Sequence, residues 1–339
     1  MSESQKRTDS FSRVPALEQL LEELNSNLAD ANQKYLTDSS EKFPKIFLVG
    51  PLRSGTTLLM QWLATTGLVA YPTNLLSRFY GAPLVGARIQ QLLTDPVYNF
   101  RNEILDFQSE ISFRSENGKT KGALAPNEFW YFWRRFLPFS ELDYLPAGQL
   151  KKQADLDGLR DELNALANIF QKPFAMKAMI MNQNIAQLAE QFDKALFLWI
   201  RRPPVFNIQS ALEARKRQHG DMRQWYSFKI REYPELKDLE PLESVAGQIA
   251  ATNCSIERAM TSLPEVNKLV IHYEEFCQDP ERAYHDVVSH IERLHGERQK
   301  IWPSYKGEKC FYSTNVWRLE EYSQLDAEQA YAKYFARYA

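Results

Sequence analysis

Hydrophobic residues in this chain form short continuous runs that alternate with longer stretches of helical periodicity. Four short apolar runs, beginning at residues 46, 174, 195 and 268, indicate strands, and the first is typical of a buried parallel strand. A polar turn and then a helical pattern follow the first and third runs. The alternation predicts an α/β fold of three layers, in which a parallel sheet lies between helices on both faces.

Helical spacing also predicts helices outside these units. The first is marked by leucines that recur at three and four residues: Leu17, Leu20, Leu21, Leu24 and Leu28. It is expected to follow a disordered tip and to pack on the core; a dimer contact is the alternative. Further helices are expected at 155–170, at 243–263 before Pro264, and at 283–293, with a loop-rich tail after them.

Between residues 74 and 156 the pattern changes. Gly and Pro interrupt short runs, and aromatic side chains crowd together, most densely at 129–139. We expect an insertion of helices and loops over a ligand cleft. Its aromatic side chains either line the pocket or belong to the core.

The composition of the chain argues against several classes of protein. Of the 339 residues, 44% are hydrophobic and 25% are charged, and the net charge of −2 gives no bulk attraction to nucleic acid or to an anionic membrane. No apolar run reaches the ~18 residues of a membrane span, and the N-terminus lacks a signal-peptide core. Three widely separated cysteines form neither a metal-binding spacing nor a disulfide framework, so a cytoplasmic protein without a metal is expected.

The first apolar run leads directly into the loop PLRSGTT. A strand, a short polar turn and a helix start point backbone N–H groups and the helix dipole at a phosphate. The loop is not a Walker A motif, because Thr56 follows Gly55 where that motif has its Lys, and the cation is Arg53 instead. Such a loop suits a single terminal phosphate; alternatively, its hydroxyls only cap the helix.

PLRSGTTLL resembles the 5′-phosphosulfate loop of sulfotransferases that use 3′-phosphoadenosine 5′-phosphosulfate (PAPS). The resemblance implies a fold of the P-loop nucleotide-hydrolase type and a sulfuryl donor, PAPS, bound by this loop. The loop residues that it assigns to the donor are Arg53, Ser54, Gly55, Thr56 and Thr57. No metal is required, because arginine and lysine meet the charge of the donor.

The segment ALFLWIRRPPVFNIQSALEAR, at 195–215, extends the resemblance. Arg202 and Ser210 are eight residues apart, which is the spacing with which the family grips the 3′-phosphate. Pro204 keeps the place of the family's Pro, whereas Pro203 replaces its Asp, and this departure concerns loop geometry more than binding. Arg215 either supports the same phosphate or pairs with a carboxylate.

Two more strands fit the family pattern, so that the resemblance runs from about residue 45 to 280. Lys177 matches the Lys of a Lys-Ser-Pro strand end, which implies contact with the bridging oxygen or the sulfuryl group. Its alternative role is a charged side chain that extends into solvent from a strand end. Tyr273 and Glu274 match the Tyr-Glu that ends a late strand of the family.

A hydroxyl acceptor needs a base, for which related enzymes use His or Glu. None of the five histidines has a neighbourhood that recommends it. Glu128 precedes the aromatic stretch, where desolvation would make the carboxylate a stronger base. Alternatively, Asn127 caps a helix and Glu128 only favours its first turn. Glu110 and Glu116 are weaker candidates in the same insertion.

The segment at 309–322 is expected to fold back on the nucleotide and to bring Asn315 and Arg318 to it. This expectation comes from the C-terminal basic loop of many sulfotransferases, although the usual Lys-Gly-rich version is not evident here. The alternative is a surface segment that Phe311 and Trp317 anchor in the core.

These features predict a PAPS-dependent sulfotransferase that modifies a hydroxyl of a small-molecule, sugar or lipid-linked acceptor. Another P-loop transferase, such as a small-molecule kinase, and a non-catalytic nucleotide-binding module are the alternatives. We expect an N-terminal tip and helix at 1–44 and a sulfotransferase domain at 45–339. Within that domain, 74–156 is the acceptor-side insertion and 300–339 is the C-terminal tail.

Overall fold

The computed structural model describes residues 14–98, 103, 111–113, 115–116, 119–296 and 302–339. The predicted disordered tip at 1–13 lies outside these residues, as do Glu110 and the side chain of Glu116. The strands, in chain order, are β1 (Lys45–Val49), β2 (Ser115–Glu116), β3 (Lys119–Thr120), β4 (Phe174–Lys177), β5 (Ala195–Arg201) and β6 (Lys268–His272).

Helices make up most of the remaining described structure. In chain order they are α1 (Pro15–Tyr35), α2 (Thr56–Thr65), α3 (Pro83–Thr94), α4 (Trp130–Phe136), α5 (Ala147–Gln153), α6 (Leu156–Phe170), α7 (Ile185–Ala189), α8 (Pro204–His219), α9 (Tyr233–Leu236), α10 (Pro241–Ser262), α11 (Tyr273–Gln278), α12 (Pro280–His295) and α13 (Gln324–Tyr338). Turns of 3-10 helix lie at Leu76–Phe79, Met179–Met181 and Glu265–Asn267.

Four parallel strands form the central sheet in the order β4-β1-β5-β6, and β2 and β3 form a separate antiparallel pair. Because the four strands are parallel, their carboxyl ends meet at one edge of the sheet. That edge lies after Val49, Lys177, Arg201 and His272. The loops that carry the predicted phosphate sites leave the sheet there.

Alternate side chains of β1 enter two different cores, since successive strand residues point to opposite faces. Phe47 and Val49 lie in a core with side chains of α4 and α6. Ile46 and Leu48 lie in a second core with side chains of α2 and α12. The sheet is therefore covered on both faces, which confirms the predicted three-layer α/β fold.

The C-terminal tail departs from the sequence-based prediction. Instead of loops throughout, it ends in the 15-residue helix α13, which packs on α8 and α10 through Ala327, Ala330 and Tyr334. Ser323 caps this helix, because its side chain accepts from the backbone of Asp326 while the Asp326 side chain accepts from the Ser323 backbone. This capping box and the spacing of the buried residues were the sequence signals for the helix.

The N-terminal helix α1 forms as predicted and packs on α3 and the Leu76–Phe79 turn. Its attachment depends on buried asparagines as well as on leucine, since Leu20 is 59% exposed. The Asn25 amide donates to the Arg78 carbonyl at 2.8 Å, and the Asn32 amide oxygen accepts from the Leu84 backbone N–H at 2.8 Å. The leucine stripe therefore indicated the helix but not the side chains that attach it.

The insertion places most of its dense aromatic stretch in the core rather than at a pocket. Phe132, Trp133 and Phe136 are buried against α6 and the sheet, whereas Trp130 is half-buried at the carboxyl edge. Core packing is the common fate of such residues. Among the described residues, no helix combines the length and the apolar character that a membrane crossing needs.

Candidate active site

The loop between β1 and α2, which is predicted to bind phosphate, is closely packed. Gly55 has φ 102° and directly precedes α2, and an added Cβ there would lie 2.7 Å from the Tyr273 ring. Ser54 is fully buried, and its Oγ has no hydrogen-bond partner among the residues that the structure describes. Arg53 has φ 63°, a left-handed conformation that costs a non-glycine residue energy and is common at functional sites.

Replacing Gly55 with Ala is expected to destabilise the fold by about 1–3 kcal/mol, because a methyl group would meet the Tyr273 ring at a strained φ. Chemical denaturation measures this loss in the free energy of unfolding. A Gly148→Ala variant is the control, since nothing lies within 4 Å of a Cβ at that position. Equal stability of the two variants would contradict the close packing at Gly55.

Arg53 and the segment after β5 are in direct contact. The Arg53 Nε donates to the Ser210 hydroxyl at 2.9 Å, and an Arg202 guanidinium N–H donates to the Arg53 carbonyl at 3.0 Å. The residues predicted to hold the 5′ and 3′ ends of one nucleotide thus lie side by side. Strands β1 and β5 are neighbours in the sheet, so the loops that follow them meet at its carboxyl edge.

The C-terminal tail crosses the sheet edge at Arg202. The Arg202 Nε donates to Asn315 at 2.6 Å, and its guanidinium also contacts the Thr314 hydroxyl at 3.2 Å. The same guanidinium lies 4.9 Å from the centre of the Tyr273 ring. Burial lowers the pKa of Arg202 from its usual value, but an arginine remains charged at neutral pH.

Arg318 lies on the same tail but is engaged elsewhere. Its guanidinium forms a bidentate ion pair with Glu213 of α8, with contacts of 2.7 and 2.8 Å. Glu213 is one helical turn beyond Ser210, so Arg318 lies near the segment that is predicted to bind the 3′-phosphate, without contacting Arg202 in this conformation. Its assignment to the nucleotide stays a prediction.

Lys177 and Glu128 form an ion pair beside the loop. The Lys177 ammonium donates to Glu128 Oε1 at 2.9 Å and to the Thr57 hydroxyl at 2.6 Å. Its side chain is only 5% exposed, so the alternative of a lysine that extends into solvent is wrong. An ammonium has three donors and these contacts use two, which leaves one for a ligand.

Glu128 is oriented by the residues on either side of it. The Trp130 indole N–H donates to Glu128 Oε2 at 2.5 Å, and the Asn127 side chain accepts from the Phe129 backbone at 2.8 Å. Asn127 therefore organises the turn before α4, while the Glu128 side chain points to Lys177. The alternative in which Asn127 caps the helix is wrong, because Phe129 is the N-cap of α4 and no side chain caps that helix. The role of Glu128 as the base stays a prediction.

Arg215 takes neither of the roles that the sequence left open. It is completely buried, donates to the Ser244 hydroxyl and the Gln248 amide oxygen, and lies 5.3 Å from the Trp225 ring centre. No carboxylate pairs with it in the part of the chain that the structure describes. Burial lowers the pKa of Arg215 to about 10. Its side chain joins α10 to the loop that follows α8.

Two residues of the site were missed by sequence reasoning. Asn182 brackets Gly50 at the end of β1: its amide N–H donates to the Gly50 carbonyl at 2.8 Å, and its amide oxygen accepts from the Gly50 N–H at 3.3 Å. Burial and the charge of Glu128 raise the pKa of Tyr226, whereas the charge of Arg53 lowers it. Asn182 had no signal in the sequence, whereas Tyr226 lies in a short aromatic cluster, WYSF.

A family model matches the sequence over most of the length of the chain. A sequence model described as "Sulfotransferase family" matches residues 44–294, well over half of the chain. The chain belongs to the sulfotransferase family. The matched residues of this sulfotransferase include the loop after β1, the segment after β5, Lys177 and Glu128. A search of curated protein sequences found no match.

Solved structures resemble this sulfotransferase in fold. Sulfotransferase STF9 from Mycobacterium avium aligns with a TM-score of 0.55 at 17% identity, over 97% of this chain and 88% of that chain. Sulfotransferase STF1 from Mycobacterium tuberculosis H37Rv aligns with a TM-score of 0.49 at 12% identity, over 91% and 82% of the two chains. The likeness to STF9 shows the same fold, and family membership supports sulfuryl transfer in general.

Proposed function

We propose that this sulfotransferase uses PAPS and transfers its sulfuryl group to a hydroxyl of a small-molecule or carbohydrate acceptor. The observation that carries the proposal is the contact between the two phosphate segments. Arg53 touches Ser210, and Arg202 touches the Arg53 backbone, so one nucleotide with phosphates at its 3′ and 5′ positions can engage both segments.

The residues present fit such a donor. The buried Ser54 hydroxyl, which lacks a partner among the described residues, and the unpaired backbone N–H groups that begin α2 can bind phosphate oxygens. Arg53 and Arg202 supply positive charge at the two ends. Gly55 lets Tyr273 pack against the loop.

The side chains around Lys177 suit the chemistry of transfer. Bound PAPS supplies a sulfuryl group on a phosphate leaving group. Arg53 and Lys177 meet the negative charge that grows during transfer, because fixed cations in a buried site are effective at this task. Glu128 takes the proton of the acceptor hydroxyl at a carboxylate oxygen, and Trp130 and Thr57 keep the Glu128–Lys177 pair in place.

Calorimetry with adenosine 3′,5′-bisphosphate and with ATP tests the donor and separates the alternatives. The proposal expects tight binding of the bisphosphate and weak binding of ATP, because the loop lacks the lysine that reaches between the β- and γ-phosphates. Tight binding of ATP with no binding of the bisphosphate would favour a kinase. A protein that binds the bisphosphate but transfers to no acceptor in a screen with labelled PAPS would be a binding module.

Arg53→Ala and Ser210→Ala are each expected to weaken binding of the bisphosphate by about 1–3 kcal/mol, because each removes a charged hydrogen bond. Calorimetry of the two variants measures the loss. Ser262→Ala, at the far end of α10, is the control. Among the described residues, the hydroxyl there bonds only within its own helix, to the Ala259 carbonyl. Unchanged affinity in both site variants would remove the shared-nucleotide site.

The acceptor side is defined by aromatic groups next to Glu128. The Trp130 and Phe228 rings are in contact, with centroids 4.7 Å apart, and Trp130 also holds the carboxylate. Aromatic side chains stack on flat or ring-shaped ligands. An acceptor screen should therefore begin with phenols, sterol-like alcohols and sugars, and transfer to none of these would contradict a ring-shaped acceptor.

A further inference from the structure

Four consecutive backbone carbonyls in the loop after β1, those of residues 50–53, each accept a hydrogen bond. In chain order, the donors are the side-chain amide of Asn182 at 2.8 Å, the backbone N–H of Ser54 at 3.3 Å, the side-chain amide of Asn207 at 3.4 Å and the guanidinium of Arg202 at 3.0 Å. A carbonyl oxygen carries partial negative charge and repels an anion, whereas N–H groups attract one. A loop that binds phosphate must therefore direct its carbonyls elsewhere.

One peptide group of this loop has a strained orientation. Because the Ser54 N–H donates to the Pro51 carbonyl, residues 51–54 form a β-turn. Arg53, the third residue of the turn, has φ 63°, whereas Leu52, the second, does not have a positive φ, as in a type II turn. A non-glycine residue costs energy in that position. Turning over the peptide between Leu52 and Arg53 would give a type I turn without this cost, so a contact must hold the peptide as it is.

Asn207 supplies that contact. It lies on α8, is completely buried, and donates to the Leu52 carbonyl, which belongs to the strained peptide. In a trans peptide the C=O and the N–H point in opposite directions. A Leu52 carbonyl that faces α8 therefore turns the Arg53 N–H away from that helix. The same turn sets the direction in which the Arg53 side chain leaves the loop towards Ser210.

Asn182 fixes the entrance of the loop. Its amide oxygen accepts from the Gly50 N–H at 3.3 Å while its amide N–H donates to the Gly50 carbonyl, so one side chain holds both polar backbone groups of Gly50. Asn182 follows β4 and is only 6% exposed. An added Cβ at Gly50 would lie 2.7 Å from the Ser54 Oγ. Gly50 therefore lies directly against the buried hydroxyl that is assigned to the donor.

We propose that Asn207 and Asn182 are positioning residues of the donor site. They hold the carbonyls of the loop after β1 away from the 5′-phosphate of the donor, so that the N–H groups of the loop and of the start of α2 face it. This inference rests on the proposed use of PAPS. It assigns the two asparagines to the 5′ end of the nucleotide alone, because the 3′ end is assigned to Arg202 and Ser210.

Adenosine 3′,5′-bisphosphate and adenosine 3′-monophosphate differ only in the 5′-phosphate and provide the test. Calorimetry on the full chain, with competition for the weaker ligand, compares their dissociation constants for the wild type, Asn207→Leu and Asn182→Leu. Leucine is close to asparagine in size but its side chain forms no hydrogen bond. We expect each variant to bind the bisphosphate about tenfold more weakly or worse, as for the loss of a hydrogen bond to a charged group. Affinity for the monophosphate should stay within about twofold of the wild type, because the 3′-phosphate has separate contacts.

Asn184→Leu controls for the loss of a buried asparagine. Asn184 is 2% exposed, and its amide donates to the Leu145 carbonyl at 2.9 Å instead of to the loop. Thermal unfolding should show a loss of stability comparable to that of the other two variants, whereas both affinities should stay at their wild-type values. Asn207→Ala and Asn182→Ala, which add no bulk, replace a leucine variant that does not fold.

The outcomes separate this inference from the proposed function. Equal losses for both ligands, or no loss for either, in an Asn207 or Asn182 variant would overturn the role of that asparagine while the use of PAPS stands. The same selective loss in Asn184→Leu would show that any buried asparagine in this region has the effect, and would overturn both roles. A wild type that does not bind the bisphosphate would overturn the proposed donor, and the positioning roles with it.

Discussion

Glu128→Gln is expected to lower the rate of sulfuryl transfer by about 10²–10⁴-fold, because a general base contributes an acceleration of that size. An amide keeps the shape of the carboxylate, but its single oxygen can replace only one of the two acceptors that Lys177 and Trp130 use. The rate is measured under saturating PAPS with an acceptor found in the screen with labelled donor. Binding of the bisphosphate should stay close to that of the wild type, since Glu128 lies on the acceptor side.

Lys177→Ala should cause a loss of transfer of similar size, and the double variant should lose little more than the worse single variant. Groups that act as a unit in one step give such non-additive losses. Glu190→Gln is the matched control, because Glu190 forms an exposed ion pair with Lys151 at 2.7 Å. If Glu128→Gln transfers sulfate as fast as Glu190→Gln, then Glu128 is not the base.

Arg202→Met is expected to weaken binding of adenosine 3′,5′-bisphosphate by roughly 10²-fold, because hydrogen bonds to a charged group contribute about 1.5–3 kcal/mol each. The same change removes the contacts that tie the tail to the sheet edge at Thr314 and Asn315. Faster proteolysis at 309–322 should therefore accompany the loss of affinity. Calorimetry and limited proteolysis on the same protein measure the two effects.

Arg201→Met is a close control, because Arg201 is next in the chain but is exposed. Its guanidinium carbon lies 4.6 Å from the centre of the Trp199 ring. It should bind the bisphosphate as the wild type does. Equal losses in the two variants would show that β5 lost its structure or that general charge, rather than Arg202, binds the nucleotide. Wild-type affinity in Arg202→Met would contradict its assignment to the 3′-phosphate.

Local patterns determined much of the fold of this sulfotransferase. Short apolar runs predict parallel strands, and β1, β4, β5 and β6 all begin at or next to the predicted positions, although β6 at the sheet edge is partly exposed. The PLRSGTT loop and the spacing of Arg202 and Ser210 pointed to two turns at the carboxyl edge, where the structure brings them into contact. Strand, turn and helix signals are local, so the sequence alone carries them.

The partners of individual side chains were decided only by the tertiary structure. Arg215 lies on the same helix as Ser210 but is buried against Trp225 and Gln248, because one further turn and a half carries it to a face that α10 covers. Phe228 packs on Trp130 from a loop whose carbonyls accept from Gln248 of α10, a helix that comes later in the chain. Sequence patterns report which residues can bind a charge, whereas long-range packing selects those that meet at the site.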